Sequence, residues 1–161
     1  MGKCGLIAWR ISKARRAKDL SGIGAALEGG RWNETELPAV YMGLSAAICC
    51  LETFVHQAGR PQIPMTITRF SLPDDPELYL EPRPGDLPEG WDSLPSDKPS
   101  VDFGSQWLRD GKQMGLIVPS VVLPLERNVV INPAHPAVGS IEVLDIQNFR
   151  YDERMFKLNQ S

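Results

Sequence analysis

At 161 residues, with 42% hydrophobic and 23% charged side chains, the chain has the composition of one soluble globular domain with a sizeable core. A net charge of -3 leaves no basic footprint, which argues against direct nucleic-acid binding, and no apolar run approaches membrane-spanning length. Cys4, Cys49 and Cys50 form no disulfide framework, so a reducing, cytoplasmic setting is expected. Met1-Gly2-Lys3-Cys4 is followed by too few apolar residues for a signal peptide, and Leu6 stands where an acylation motif needs Ser or Thr. Neither His56 nor His135 has metal-ligand spacing to a cysteine, so no metal is expected.

Leu6 to Ile11 reads as a strand ending at Ser12. The basic run Lys13 to Asp19 is a solvated face or an attractor for an anionic ligand. Gly22-Ile23-Gly24 is no dinucleotide fingerprint, because Leu27 replaces the third glycine; a turn of helix follows over Ala25 to Glu28. Gly29-Gly30-Arg31-Trp32-Asn33 then joins two permissive glycines to a guanidinium, an indole and an amide. Taken alone it is either a surface turn or a loop that holds a flat, phosphorylated molecule. Ala39 to Gly43 reads as a brief buried strand after Pro38.

Ser45 is a suitable N-cap for a helix over Ala46 to Ala58, stopped by Gly59 and Pro61. This segment is apolar almost all round and is expected to be buried, which makes Glu52 in its middle costly unless paired. Such a glutamate is a candidate functional group or a structural ion pair, and His56 one turn on is a possible partner. Met65 to Leu72 reads as a strand. Residues 73–100 are rich in proline and acid and read as a long irregular loop, a lid or an ordered excursion.

Val101 to Lys112 reads as a short helix. Gly115 to Val118 is a buried strand, broken at Pro119-Ser120 by a bulge and resuming over Val121 to Pro124. Arg127 to Ile131 is another strand, closed by Asn132-Pro133, and His135 serves a turn. Ile141 to Tyr151 is a last strand with Phe149 and Tyr151 on one face.

These residues resemble the RES-domain proteins, the toxin half of bacterial toxin–antitoxin pairs. The three residues that name the family would be Arg31, Glu52 in Cys50-Leu51-Glu52, and Ser120 in Val118-Pro119-Ser120. Arg10-Ile11, Val40-Tyr41-Met42-Gly43 and Asn128 to Pro133 also match, so the resemblance runs over nearly the whole chain in the expected order. It implies one RES domain over 1–161, carrying the loop at 73–100. The implied fold class is α+β, with a split, mixed β-sheet core and flanking helices, similar to ADP-ribosyltransferase toxins.

The resemblance also implies NAD as substrate, with ADP-ribose passed to water, phosphate or a protein. Arg31 would hold the pyrophosphate or adjoining ribose, and Tyr41 would stack on nicotinamide. Glu52 would stabilise the charge that builds on the ribose, and Ser120 would bond the ribose or fix Glu52. Trp32 and Asn33 would complete the NAD-binding loop. Alone, Tyr41 reads equally as a core tyrosine and Ser120 as a local backbone bonder. The implied partner is an Xre-like helix-turn-helix antitoxin blocking the active site. A non-catalytic partner-binding domain of the same fold is the alternative.

Overall fold

The computed structural model describes residues 5–57 and 59–157. Cys4 and Ala58, which entered the sequence reading, lie outside them. The elements in chain order are β1 (Leu6–Lys13), α1 (Ile23–Glu28), β2 (Val40–Gly43), α2 (Ala46–Val55), β3 (Met65–Leu72) and β4 (Tyr79–Leu80). These are followed by α3 (Lys98–Asp110), β5 (Gly115–Pro119), β6 (Arg127–Ile131) and β7 (Glu142–Phe149). Short 3-10 turns link several of them.

The strands form one seven-stranded sheet in the order β4-β5-β6-β2-β1-β3-β7. It is mixed, because β4 runs parallel to β5 while the other neighbours are antiparallel. The architecture is therefore α+β, as expected. The split lies between β1 and β2, which share the single pair Trp9↔Gly43, whereas β1 pairs with β3 from Leu6 to Lys13. At that seam residues of both strands line a cavity.

Side chains alternate across the sheet and build two cores. One gathers Ala8, Val40, Met42, Phe70, Leu72, Ile117, Val129 and Ile131. The other gathers Leu116, Val118 and Val130 under Trp107 and Leu108 of α3, with Trp32 of the arginine loop. β5 and β6 are thus covered on both faces, which explains their continuous apolar runs.

α3 and the arginine loop are packed backbone to side. A Cβ on Gly104 would sit 2.0 Å from the Trp32 carbonyl oxygen and 2.7 Å from its carbon. Only glycine permits that approach. Gly104→Ala should therefore destabilise the protein by about 3 kcal/mol, lowering the melting temperature by roughly 6–12 °C. Thermal unfolding checks this, and a melting temperature within a degree of the parent would show that α3 shifts freely.

Several boundaries differ from expectation. α2 ends at Val55, and it is not buried all round: Ile48 and Cys49 are its buried residues, while Val55 is 54% exposed. Its apolar side chains face the cavity and an aromatic group in which Phe54 meets Tyr151 at 5.6 Å between ring centroids. α3 starts at Lys98, ahead of the expected Val101, with the Asp97 side chain accepting from the Lys98 N–H. Residues 121–126 do not resume a strand; they form the tight connection from β5 to β6.

Candidate active site

The cavity at the split has a volume of about 1050 Å³. This is at the upper end of small-molecule sites, which run roughly 300–1,000 Å³. Its walls come from Trp9 to Ser12 of β1, Val40 to Gly43 of β2, the arginine loop, one side of α2 with Cys49, Glu52 and Thr53, and His56 just past the helix end. Leu94, Pro95 and Ser96 of the proline-rich segment and Val121 and Val122 of the β5–β6 connection complete the rim.

The arginine loop is a tight turn. The Gly30 N–H donates to the Asn33 carbonyl (3.0 Å) and the Asn33 N–H donates back (3.4 Å), which places Arg31 and Trp32 at the tip. A side chain at position 30 would meet the Tyr41 hydroxyl at 2.7 Å and Asn33 Oδ1 at 2.8 Å. Those two atoms bond each other, Tyr41 donating to Asn33 at 2.6 Å, and the Tyr41 oxygen accepts the Trp32 N–H at 3.0 Å. The Asn33 amide nitrogen donates to the carbonyls of Ala25, Leu37 and Glu34 at 2.9–3.1 Å.

Asn33, expected to complete the NAD-binding loop, completes the loop without reaching the cavity itself. It is 1% exposed, it does not line the cavity, and its polar atoms are all engaged within the protein. It holds the loop from beneath. Trp32 borders the cavity, but its ring is buried, stacked on Trp91 (6.1 Å, 26°) and edge-on to Phe103. Tyr41 borders the cavity while its hydroxyl is tied down. Burial pushes its pKa up, so it offers a neutral flat face rather than a titrating group.

Arg31 is half-buried. Its Nη1 donates to the carbonyls of Trp91 (3.0 Å) and Ser93 (2.9 Å), so the arginine ties the proline-rich segment to the cavity wall. Nε and Nη2 have no acceptor among the described residues. Burial lowers the guanidinium pKa, while the nearby negative charges of Glu52 and Asp92 oppose the shift; an arginine stays protonated under such conditions.

Glu52 is half-buried on the cavity side of α2. Its Oε1 accepts two hydrogen bonds, from Ser120 Oγ at 2.6 Å and from Asn128 Nδ2 at 2.7 Å. Ser120 is fully buried, and its oxygen accepts the N–H groups of Val122 and Leu123, both at 3.1 Å, which leaves its proton for the carboxylate. Ser120 therefore does not line the cavity and reaches it only through Glu52. His56 does not bond the Glu52 carboxylate; its Nδ1 lies 2.7 Å from the Glu52 backbone carbonyl.

Arg31, Tyr41 and Glu52 thus face one cavity, with Ser120 behind Glu52. Two contributors had entered the sequence reading only as members of matching stretches, with no role at the site. Asn128 at the start of β6 touches Glu52 from 76 positions away. Arg10 on β1 borders the cavity and donates to the carbonyls of Asp19 (2.6 Å), Arg16 (2.9 Å) and Ala17 (3.0 Å), closing the basic segment against the wall. Its guanidinium also lies over the Phe70 ring at 5.3 Å. Charge at position 10 inside an otherwise apolar strand was the available signal.

The family model described as RES domain matches residues 7–152, a span that includes Arg31, Glu52 and Ser120. The chain belongs to the RES-domain family. A family relative from Sphingobium sp. (strain YBL2), named Prs ADP-ribosylating toxin, is 42% identical over 154 residues, covering 92% of this chain and 96% of the relative. A relative from Yersinia enterocolitica serotype O:8, named Toxin Res, is 32% identical, covering 93% of this chain and 99% of the relative. Among solved structures, the toxin–antitoxin complex MbcT–MbcA of M. tuberculosis matches with a TM-score of 0.66 at 21% identity, over 90% of this chain and 84% of that one. That likeness shows that the RES-domain chain shares its fold.

Proposed function

We propose that this RES-domain chain is the toxin of a toxin–antitoxin pair and works in the cytoplasm as a single domain. In this reading it consumes NAD, breaking the nicotinamide–ribose bond and passing ADP-ribose to a protein side chain, to water or to phosphate. The observation that carries the reading is Glu52, a carboxylate fixed by two donors at the wall of a cavity large enough for a dinucleotide. The names of the relatives, ADP-ribosylating toxin and Toxin Res, support it.

The chemistry follows from charge. When the glycosidic bond breaks, its electron pair leaves with the pyridine nitrogen as neutral nicotinamide, and positive charge develops on the ribose. A preorganised carboxylate beside that charge stabilises the transition state more than the ground state. Arg31 grips the pyrophosphate with the donors that Trp91 and Ser93 leave open. Tyr41 provides the stacking face for nicotinamide. Cys49 also borders the cavity, but burial pushes its thiol up to about 11, so it is protonated at neutral pH and a poor nucleophile.

Purified protein incubated with NAD should release nicotinamide. No release with water, phosphate or cell extract as acceptor would instead favour a non-catalytic binding domain. Mass spectrometry of extract incubated with labelled NAD identifies the acceptor.

Such an enzyme needs restraint in trans. The expected partner is an Xre-like antitoxin that presents an acidic side chain or a terminal carboxylate to Arg31, the exchangeable anion site of the cavity. Antitoxin and NAD should then compete, so antitoxin titrated into the toxin binds more weakly at saturating NAD than without it. Equal affinity under both conditions would place the antitoxin elsewhere.

A further inference from the structure

We infer that Asn128 is a positioning residue that, with Ser120, holds Glu52 by one oxygen so that Oε2 is the atom that works on the substrate. The inference rests on the proposed NAD chemistry and adds to it a residue and an orientation. Asn128 and Ser120 both donate to Oε1, at 2.7 and 2.6 Å, and Oε2 has no donor among the described residues. A free carboxylate rotates about its last bond and exchanges its two oxygens. Two donors from different elements converging on one oxygen remove that freedom.

The two donors are held independently of each other. Ser120 is fixed by accepting from Val122 and Leu123 in the β5–β6 connection. Asn128 is fixed by the sheet itself, since it stands opposite Gly43 of β2 and Val118 of β5. Facing an acceptor-only carboxylate, the Asn128 side chain must present its NH₂ group. Glycine at position 43 belongs to the same arrangement: a Cβ there would meet the Cys49 backbone nitrogen at 2.8 Å, so the glycine lets α2 approach the sheet closely enough for Glu52 to reach Asn128. Asn128 also borders the cavity, whereas Ser120 does not, so it stands closer to bound substrate.

A group that aims another should act on turnover more than on binding, because misplacement of a reacting group by an ångström is felt chiefly in the transition state. The test is steady-state nicotinamide release by the full chain. Asn128→Leu keeps the branched shape without donors. Asn128→Ser is smaller, introduces no clash, and its hydroxyl falls short of Oε1. Both should lower kcat by roughly tenfold to a hundredfold, with KM for NAD changing by less than about threefold. Asn128→Gln, which keeps an amide donor, should retain more kcat than either. Melting curves report folding separately.

A folded Asn128→Leu or Asn128→Ser protein with parental kcat would overturn the inference, as would a loss confined to KM. A parent chain that releases no nicotinamide fails the proposed function instead. Asn128 is then judged by antitoxin binding to the parent and the two variants, where unchanged affinity is the expected result for a residue that only aims Glu52, and a loss equal to that of Arg31→Ala overturns it.

Discussion

Replacing Glu52 by glutamine should leave a folded protein whose nicotinamide release is slowed by a hundredfold or more. The expectation is stronger than a simple loss of charge. Oε1 of Glu52 accepts from Ser120 and Asn128, and both partners are fixed by other bonds or by the sheet. A glutamine in the same place must turn its carbonyl oxygen toward those two donors. Its NH₂ group then occupies the position of Oε2 and points a partial positive charge at the ribose, where positive charge develops. The substitution thus replaces attraction by repulsion while preserving shape and the two hydrogen bonds. Parental melting temperature with residual kcat near 1% or below is the expected result. Parental kcat in a folded Glu52→Gln protein would remove Glu52 from the reaction.

The sheet was largely legible from the sequence, because apolar periodicity is a local signal. Met65–Leu72 and Arg127–Ile131 have the expected bounds, and Ser45 caps α2 by accepting the Ile48 N–H at 3.1 Å. Local side-chain competition explains the misplaced ends. α2 stops short at Val55, where the His56 ring takes up the Glu52 carbonyl at the helix end. Val121 to Leu123 looked like strand, but the Ser120 hydroxyl takes the N–H groups of Val122 and Leu123 and bends the chain into a turn. Asp97 and Pro99 marked the true start of α3, although the proline-rich composition around them obscured it.

The site was less legible, because its bonds span the chain. Ser120 and Asn128 reach Glu52 across 68 and 76 positions, and no periodicity encodes such pairs. Ser120 was singled out through resemblance, whereas Arg31 also stood out by its chemistry, as the guanidinium beside two permissive glycines. Asn128 was noted only as part of a matching stretch. Asn33 carried the right chemistry for a ligand contact, but its position beneath a turn closed by Gly30 directs that chemistry inward. The role of residues 88–97 was also hidden. This segment offers Arg31 its backbone carbonyls rather than its side chains, and carbonyls leave no mark on sequence.

That backbone clamp makes Arg31→Lys the second substitution with a large expected effect. Arg31 performs two tasks at once. Nη1 binds the carbonyls of Trp91 and Ser93, while Arg31 borders the cavity and its other two nitrogens have no acceptor among the described residues. A lysine carries one nitrogen on a flexible stem and cannot hold the segment and grip a phosphate bidentately together. If it bonds the carbonyls, the anion loses its partner; if it bonds the anion, the stack of Trp91 on Trp32 loses its tether. Each charge-assisted bond is worth about 1.5–3 kcal/mol, so KM for NAD should rise roughly tenfold to a hundredfold. The freed segment should become more susceptible to limited proteolysis around residues 88–97, and saturating NAD should protect the parent protein more than the variant. Should Arg31→Lys instead keep its KM and lose only kcat at saturating NAD, the guanidinium acts at the scissile bond beside Glu52, and the candidate pyrophosphate site becomes the basic segment that Arg10 closes against the cavity wall.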